Sequence, residues 1–299
     1  MAKKNTIALP VNQVLYGKAE DMIKTLPDRS VDLVVTSPPY AQVVSYGKGV
    51  ECYDEDAYPD WFASLAKEIG RVLKDSGSFI LNINDFVRDK LRSMYVLETI
   101  CKIVRTTNLK LYDRYIWAKK TAIPAGKPNR LNDRIEYIVH FVVDPDRIKT
   151  FPDEARVPYS PSTICRMQYR VRLSNKVGDD GKTIEQRKYR KVRAPNPMGC
   201  IHSTVFDFNI AGAESRYQKR FHPAPFNEEL PTFFIRWLTD RDDVVLDPFM
   251  GSGTTAMVCI KWRRKYIDFE LNDKYKPEID GRLRIRQNDL DSQFDLGNR

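Results

Sequence analysis

The chain has 299 residues, which is enough to bury one large core or two modest ones. Its 49 Lys and Arg outnumber its 40 Asp and Glu, and the formal net charge of +9 indicates a polyanionic partner. The sequence has neither an apolar run near the ~20 residues of a membrane span nor the apolar core of a signal peptide. We therefore expect a cytoplasmic protein with no membrane partner.

The cysteines and histidines do not follow a metal-binding pattern. Neither the five cysteines nor the three histidines show the spacing of metal ligands. These residues are Cys52, Cys101, Cys165, Cys200, Cys259, His140, His202 and His222. We interpret the cysteines as reduced thiols and predict that the protein has no metal site.

The first part of the chain alternates between strand-like and helix-like patterns. Apolar runs at 31–35 and 79–83 predict two buried strands. Between them, apolar residues recur at helical spacing over 58–73, which predicts an amphipathic helix that covers a sheet. We expect residues 74–77 to form the turn that leads into the second strand.

The next part of the chain continues the same alternation and then changes. We predict a second helix at about 89–105, followed by long strands at 109–119 and 135–143. No helical pattern separates these two strands, so we expect a mixed sheet with an antiparallel edge. Strands that alternate with helices predict an α/β fold with a doubly wound sheet.

A basic segment at 151–220 shows no sustained periodicity. It contains 14 Lys and Arg against 7 Asp and Glu, a net charge of +7, and so holds most of the excess positive charge of the chain. We interpret it as a separate small domain or a long insert, with a disordered solvated loop as the alternative. Interleaved aromatic residues argue against a disordered loop. They are Tyr169, Tyr189, Phe206, Phe208 and Tyr217.

The α/β pattern resumes after this segment and leads to a glycine-containing turn. A helix at 227–239 and a strand at 244–246 precede the turn, and a helix at 254–262 and a strand at 266–269 follow it. The turn is formed by Asp247, Pro248, Phe249, Met250, Gly251, Ser252 and Gly253. A turn between a parallel strand and a helix is where open α/β sheets bind ligands.

The residues around this glycine turn suit a nucleoside-containing cofactor without phosphates. Gly251 and Gly253 allow close approach of a ligand to the backbone. Glu270 ends the next strand about 20 residues later, where a carboxylate can accept hydrogen bonds from two ribose hydroxyls. Thr255 stands where a dinucleotide site would have a third glycine, which disfavours a pyrophosphate.

A second motif follows the strand at 31–35. This SPPY segment consists of Ser37, Pro38, Pro39 and Tyr40. Two prolines end the strand and hold a carbonyl in a fixed geometry. That carbonyl and the hydroxyl of Ser37 are two acceptors for an amino group, and Tyr40 offers a ring on which a flat base can stack. Trp117, Asn82 and Asp85 are weaker candidates for the same pocket.

The two motifs, in this order, resemble those of the amino-methyltransferases that modify DNA bases with S-adenosylmethionine. The resemblance covers nearly the whole chain outside 151–220, and the late glycine turn resembles the permuted class called beta. It implies a Rossmann-like methyltransferase fold, the catalytic segment Ser37 to Tyr40, and a cofactor site. The cofactor site would comprise Asp247 for the ammonium group, Glu270 for the ribose, and Pro248, Phe249, Gly251, Gly253 and Thr254. The family usually has Gly-Asp where this chain has Gly17 and Lys18, so the contact to the cofactor adenine is left open.

The resemblance also implies an organisation and a set of partners. Residues 1–150 would form the catalytic part of the methyltransferase domain, 151–220 an inserted target-recognition domain, and 221–299 the cofactor-binding part. Ser37 at the first motif position resembles the cytosine-N4 enzymes more than the adenine-N6 enzymes, which remain the alternative. A lesser alternative is an inactive DNA-binding protein on the same scaffold. We expect double-stranded DNA as the partner, a cognate restriction endonuclease as a further one, and a monomer or a homodimer.

Overall fold

The structure is a computed structural model that describes residues 8–41, 54–123, 129–168, 176–177, 183–184, 196–208 and 227–297. The chain divides into two compact units. The larger unit comprises the described residues of Met1–Phe151 and Thr204–Arg299, and the smaller unit those of Pro152–Ser203. Residues 204–208, which lie within the segment predicted as an insert, therefore belong to the larger unit.

The strands and helices have the following bounds. The strands are β1 (Gln13–Tyr16), β2 (Val31–Thr36), β3 (Leu73–Ile83), β4 (Val87–Arg88), β5 (Leu91–Arg92), β6 (Lys110–Ile123), β7 (Asp133–Val142), β8 (Lys176–Val177), β9 (Thr183–Ile184), β10 (Val205–Phe206), β11 (Val244–Asp247) and β12 (Lys265–Glu270). The helices are α1 (Ala19–Met22), α2 (Tyr58–Val72), α3 (Tyr95–Thr106), α4 (Pro161–Gln168), α5 (Glu229–Leu238), α6 (Thr254–Trp262) and α7 (Lys276–Gly297). Short 3-10 helices lie at Ile23–Thr25, Pro152–Ala155 and Asp273–Tyr275. None of these described helices is long and apolar enough to cross a membrane.

An eight-stranded mixed sheet lies at the centre of the larger unit. Its order is β1, β12, β11, β2, β3, β7, β6, β10. The first five of these strands are mutually parallel, and β7 is antiparallel to both of its neighbours. This confirms the predicted α/β fold with a mixed sheet and an antiparallel part. Because β2 and β11 are parallel neighbours, the two motifs that follow them lie at the same edge of the sheet.

Apolar side chains cover both faces of the sheet. In β2, which is buried along its whole length, Leu33 and Val35 belong to one core layer and Val34 to the other. Helices α2 and α3 pack on the face of Val34, and α5, α6 and α7 contribute to the opposite layer. Strands buried on both faces are expected where helices flank a parallel sheet on both sides.

Two local predictions from the sequence are wrong. Residues 74–77 lie within β3, where the pairing with β2 shifts between Val31–Leu73 and Leu33–Ser78. A side chain at Gly77 would meet the carbonyl oxygen of Asp32 at 3.1 Å, so the glycine permits this bulge rather than a turn. The predicted helix at 89–105 begins only at Tyr95, because β4 and β5 form a hairpin before it.

The smaller unit contains helix α4 and the two-stranded hairpin of β8 and β9. Val157 and Cys200 form an isolated antiparallel bridge that ties the two ends of its described part together. Tyr169 and Tyr189, which the sequence singled out in this segment, lie outside the described residues, as does Tyr217.

Candidate active site

The SPPY segment and the glycine turn meet where β2 and β11 end. Thr36, the last residue of β2, donates a hydrogen bond of 2.6 Å from its hydroxyl to Oδ1 of Asp247, the last residue of β11. The two strands pair in parallel register at Leu33–Val245 and Val34–Leu246. Two segments that are far apart in the sequence are thus brought together at the carboxyl edge of the sheet.

The glycine turn leads tightly from β11 into α6. Gly251 and Gly253 have φ angles of 53° and 83°, in the left-handed region that favours glycine. Gly253 is the N-cap residue of α6, and a side chain there would lie 3.2 Å from Cε of Met250. The backbone N–H of Met250 donates to the carbonyl oxygen of Phe269 at 3.0 Å, which fastens the turn to β12. The backbone is therefore shaped for close approach by a ligand.

Asp247 is buried and holds the glycine turn together. Besides the bond from Thr36, its Oδ1 accepts one from the backbone N–H of Phe249 at 3.0 Å, and its Oδ2 accepts one from the hydroxyl of Thr255 at 2.6 Å. Burial raises the pKa of Asp247, and these hydrogen bonds oppose the rise. The carboxyl group thus organises the first turn of α6 and the end of β2.

Glu270 ends β12 beside the same turn. Its Oε1 accepts a hydrogen bond of 2.8 Å from the backbone N–H of Asn272. Burial raises the pKa of Glu270 to about 7, opposed by the backbone N–H groups of Asn272 and Gly251. The nearby Asp247 contributes to the rise. Glu270 is therefore a carboxyl group whose charge changes near neutral pH, a property common among functional residues.

The remaining residues predicted for the cofactor line the same edge of the sheet. Pro248 and Thr254 are buried, and Phe249 is half-buried, with its ring centroid 6.0 Å from that of Trp61 in α2. The indole N–H of Trp61 in turn donates to the carboxylate of Glu20 in α1. The glycine-rich turn, the flanking ring and the carboxylate of Glu270 fit a cofactor with a nucleoside part and no phosphates.

The backbone of the SPPY segment is fixed by α2. The hydroxyl of Tyr58, at the start of α2, donates to the carbonyl oxygen of Pro39 at 2.9 Å. Pro38 is buried, whereas Ser37 and Tyr40 are half-buried and face the polar edge of the sheet. The two prolines and this hydrogen bond restrict the conformations open to the segment.

Tyr40 and Ser37 belong to a polar network that also includes Asn82, near the C-terminal end of β3, and Glu136, near the start of β7. The hydroxyl of Tyr40 donates to Oε2 of Glu136 at 3.0 Å and lies 3.4 Å from Oγ of Ser37. The amide of Asn82 donates to Glu136 at 2.8 Å, to Tyr40 at 3.1 Å and to Ser37 at 3.3 Å. Burial raises the pKa of Tyr40 well above 10, and Glu136 adds to the rise, so the hydroxyl remains a donor.

The sequence did not identify Glu136 or its partner Lys119. Nζ of Lys119, from β6, lies 2.5 Å from Oε1 of Glu136, and both side chains are nearly buried. The only signal in the sequence is that Glu136 is an acidic residue in the largely apolar run predicted as the strand at 135–143. Its role depends on the pairing of β3, β7 and β6, which a single sequence does not specify.

Among the described residues, the other weak candidates, Trp117 and Asp85, share no hydrogen bond with this network. Trp117 nevertheless lies opposite Glu136 in the pairing of β6 with β7, and Nζ of Lys119 lies 5.6 Å from the centroid of its ring. Trp117 is buried, and its indole N–H donates to the carbonyl oxygen of Phe208 at 3.1 Å, as expected for a core residue. Asp85 forms an ion pair with Arg92 in the β4–β5 hairpin. His140 is buried between Ser78 and Tyr115, and burial lowers its pKa to about 3. Across the described residues, no group of three or more His, Cys, Asp and Glu is arranged to hold a metal ion.

Comparison with known proteins identifies the family. The DNA methylase family model, N6_N4_Mtase, matches residues 31–280, a span that includes the SPPY segment, the glycine turn and Glu270. The type II methyltransferase M.PvuII of Proteus hauseri is 28% identical over 297 residues, which cover 91% of this chain and 84% of the relative. The DNA adenine methyltransferase YhdJ of Escherichia coli K12 is 26% identical, covering 88% of this chain and 79% of the relative.

Solved structures show the same fold. The cytosine-N4-specific PvuII DNA methyltransferase superposes with a TM-score of 0.67 at 23% identity, covering 90% of this chain and 85% of the neighbour. The Thermus thermophilus protein TTHA0409, solved in complex with S-adenosyl-L-methionine, has a TM-score of 0.58 at 22% identity, covering 92% of this chain and 95% of the neighbour. These likenesses confirm the predicted Rossmann-like methyltransferase fold. The chain belongs to the N6/N4 DNA methylase family and is a DNA amino-methyltransferase dependent on S-adenosylmethionine.

Proposed function

We propose that the protein transfers a methyl group from S-adenosylmethionine to the N4 amine of a flipped-out cytosine at specific DNA sites. The observation that carries the proposal is the hydrogen bond between Thr36 and Asp247, which joins the SPPY segment to the glycine turn. Methyl transfer requires the amine and the methyl group to be held in line and close together. Two motifs on adjacent parallel strands, tied at their ends, support this arrangement.

For the cofactor, we assign binding to the glycine turn and to Glu270. Gly251, Gly253, Pro248 and Thr254 shape the backbone, and Phe249 packs beside the cofactor. Glu270 accepts hydrogen bonds from the ribose hydroxyls. When bound, the cofactor supplies an electrophilic methyl group on a sulfonium.

Asp247 has a double role in this proposal. Both of its oxygens accept hydrogen bonds from the protein, so its position is fixed before a ligand arrives. Its negative charge attracts the ammonium group of the cofactor, and the remaining acceptor capacity of Oδ2 can receive a hydrogen bond from it.

For the target base, we assign the SPPY segment as the catalytic group. Ser37 and the carbonyl that precedes Pro39 accept hydrogen bonds from the exocyclic amine, which favours the pyramidal and nucleophilic form of the nitrogen. Tyr40 stacks on the ring of the flipped base. The carbonyl of Pro39 itself is already bonded to Tyr58 and holds the segment in place.

The preference for cytosine rests on the serine of the motif and on the likeness to the PvuII enzyme. The likeness to YhdJ, whose name gives it as an adenine methyltransferase, supports adenine N6 as the second candidate. The likeness to relatives named as type II methyltransferases supports a role beside a cognate restriction endonuclease in the cytoplasm. The protein would act on double-stranded DNA as a monomer or a homodimer.

We further propose that the basic segment at 151–220 recognises the target sequence. Its net charge of +7 suits contacts to phosphates, and its side chains would read base edges in the major groove. The segment includes the smaller compact unit, Pro152–Ser203. Its placement between the two motif-bearing parts of the chain supports this assignment.

The decisive experiment is to identify the methylated nucleoside. Purified protein, mixed-sequence DNA and methyl-labelled S-adenosylmethionine are incubated, and the DNA is digested and analysed by mass. We expect N4-methylcytosine. N6-methyladenine would replace this assignment by the second candidate. Tight DNA binding with no transfer of label would instead support an inactive scaffold.

A further inference from the structure

We propose that Glu136 is a positioning residue of the target-amine pocket. Its carboxylate holds the hydroxyl of Tyr40 and the amide of Asn82, and so fixes the ring of Tyr40 and the hydroxyl of Ser37 for methyl transfer. This inference rests on the proposed function, because it assigns Tyr40 and Ser37 to the base.

One oxygen of Glu136 serves two donors. Oε2 accepts hydrogen bonds from the hydroxyl of Tyr40 at 3.0 Å and from the amide of Asn82 at 2.8 Å. The three residues come from the SPPY segment, β3 and β7, so a single acceptor aligns parts of the chain that are distant in sequence. Only 8% of Glu136 is exposed, so water cannot readily replace the carboxylate as the acceptor.

The other oxygen of Glu136 is held by a cation. Lys119 lies 2.5 Å from Oε1, and the two side chains are 12% and 11% exposed. Lys119 comes from β6, the antiparallel neighbour of β7. A charged pair anchored on two strands keeps the carboxylate in place from the side opposite to Tyr40 and Asn82.

Asn82 transmits this placement to Ser37. Its amide group donates to Glu136, to Tyr40 and to Ser37, which fixes which way the amide points. The amide oxygen is buried and has no hydrogen-bond partner in the described structure, a cost that is seldom retained without a reason. The orientation of the Asn82 amide is therefore set by the hydrogen bond that its NH2 group donates to Glu136, although its own oxygen is left without a partner in the described structure.

The consequence for catalysis is geometric. The ring of Tyr40 can rotate about two side-chain bonds, and its hydroxyl is the only polar handle that restrains it. Without Glu136 the ring and the serine hydroxyl would adopt several arrangements, and misplacement by ~1 Å can cost ~100-fold in rate. We therefore expect the effect in kcat rather than in cofactor affinity.

The test is a double-mutant cycle between Tyr40→Phe and Glu136→Gln. Tyr40→Phe should lower kcat about tenfold, the size of one lost hydrogen bond to a charged group, and Glu136→Gln should lower it at least as much because it also releases Asn82. In Glu136→Gln the one remaining carbonyl oxygen pairs with Lys119, so the NH2 group faces Tyr40 and the acceptor for its hydroxyl is lost. Because Glu136→Gln already removes the tether of Tyr40, the double variant should fall no further than Glu136→Gln alone. The KM for S-adenosylmethionine and the Kd for DNA should stay within about twofold. Additive losses, or a kcat of wild-type size for Glu136→Gln, would overturn the proposal.

Two further variants guard against a purely structural effect. Glu136→Asp keeps the charge for Lys119 but withdraws the acceptor from Tyr40, and it should show the same coupling if Glu136→Gln does not fold. Asp32→Asn is the matched control. Asp32 is also a nearly buried acid that pairs with a lysine, Lys74, at 2.8 Å, but it lies at the opposite end of β2 from the SPPY segment. The control variant should lower the Tm, leave kcat within about twofold and add independently to Tyr40→Phe.

The same assay separates this inference from the proposed function. A wild-type protein that transfers no methyl label to any DNA would overturn the proposed function and, with it, the role of Glu136. An active wild type whose Tyr40→Phe and Glu136→Gln effects multiply would overturn the positioning role alone.

Discussion

The raised pKa of Glu270 predicts that pH controls cofactor binding. In the cofactor-free protein, burial raises this pKa from 4.5 to about 7. Ribose hydroxyls donate hydrogen bonds preferentially to the ionised carboxylate. If Glu270 binds the ribose, the cofactor must therefore compete with the proton, and binding should strengthen as the pH rises through 7.

The magnitude follows from the fraction of Glu270 that is ionised. For a pKa of about 7, roughly one molecule in eleven carries the ionised group at pH 6 and roughly ten in eleven at pH 8. The apparent Kd is the intrinsic value divided by the competent fraction, so the affinity should rise about tenfold between these pH values.

The perturbation is Glu270→Gln, and the assay is calorimetric titration with S-adenosylmethionine at pH 6, 7 and 8. The variant keeps the shape of the side chain but cannot ionise. It should bind more weakly than the wild type at pH 8 and lack the tenfold rise. Ionisation of the free ligand affects both proteins equally, so the ratio of their affinities removes its contribution. An identical pH profile in the two proteins would refute the ribose assignment.

Three further outcomes are expected. The pKa of Glu270 in the folded protein exceeds its value in the unfolded chain, so its contribution to folding is full below pH 4.5 and is lost as the pH rises through 7. The loss amounts to up to about 3 kcal/mol. In urea unfolding of the cofactor-free proteins, the unfolding free energies of the wild type and Glu270→Gln should diverge by this amount as the pH rises. Gly253 has a φ angle of 83°, so Gly253→Ala should lower the unfolding free energy by about 1–2 kcal/mol and weaken cofactor binding. The control is Gly281→Ala, where a side chain meets nothing within 4 Å; it should leave cofactor binding unchanged and leave stability unchanged or higher. Equal effects of the two variants on Tm would contradict backbone strain at position 253. Thr36→Val removes the hydrogen bond to Asp247, so it should lower the unfolding free energy by about 1–3 kcal/mol and raise the pKa of Asp247 further. An unchanged denaturation midpoint would show that this hydrogen bond between the motifs is dispensable for stability.

Periodicity alone predicted the parts of the fold that place the site. The apolar runs that precede Ser37 and Asp247 correspond to β2 and β11, and the helix predicted at 254–262 has the observed bounds of α6. Such runs are informative because a parallel strand is buried on both faces and must be apolar throughout. The order of the strands in the sheet was not predicted, since periodicity does not specify which strands are neighbours.

The local errors have a common physical cause. At Asp89 and Lys90, φ angles of 48° and 68° form the tip of the β4–β5 hairpin, although neither residue is glycine. Gly77 is a turn signal in the sequence, yet the structure uses it for close approach of β3 to β2. In both places tertiary contacts override the local preference of the residue.

The polar network of the pocket was beyond sequence reasoning for a different reason. Glu136 and Lys119 acquire meaning only when β7 is paired with β3 on one side and β6 on the other. A slip of one residue in either pairing would move Glu136 to the opposite face of the sheet. A sequence motif reveals functional residues that are close together in the chain, whereas the residues of this network come from different strands.

The same network bears on which base the protein modifies. Ser37 Oγ has one proton and two lone pairs, and the amide of Asn82 occupies one lone pair. With its proton directed to Tyr40, 3.4 Å away, Ser37 keeps one lone pair for an amine. Cytosine and adenine both present such an amine, so the acceptor alone does not distinguish them. The choice between cytosine and adenine therefore depends on the width of the pocket beside the ring of Tyr40. A purine whose amine reaches Oγ of Ser37 needs a wider pocket than a pyrimidine does.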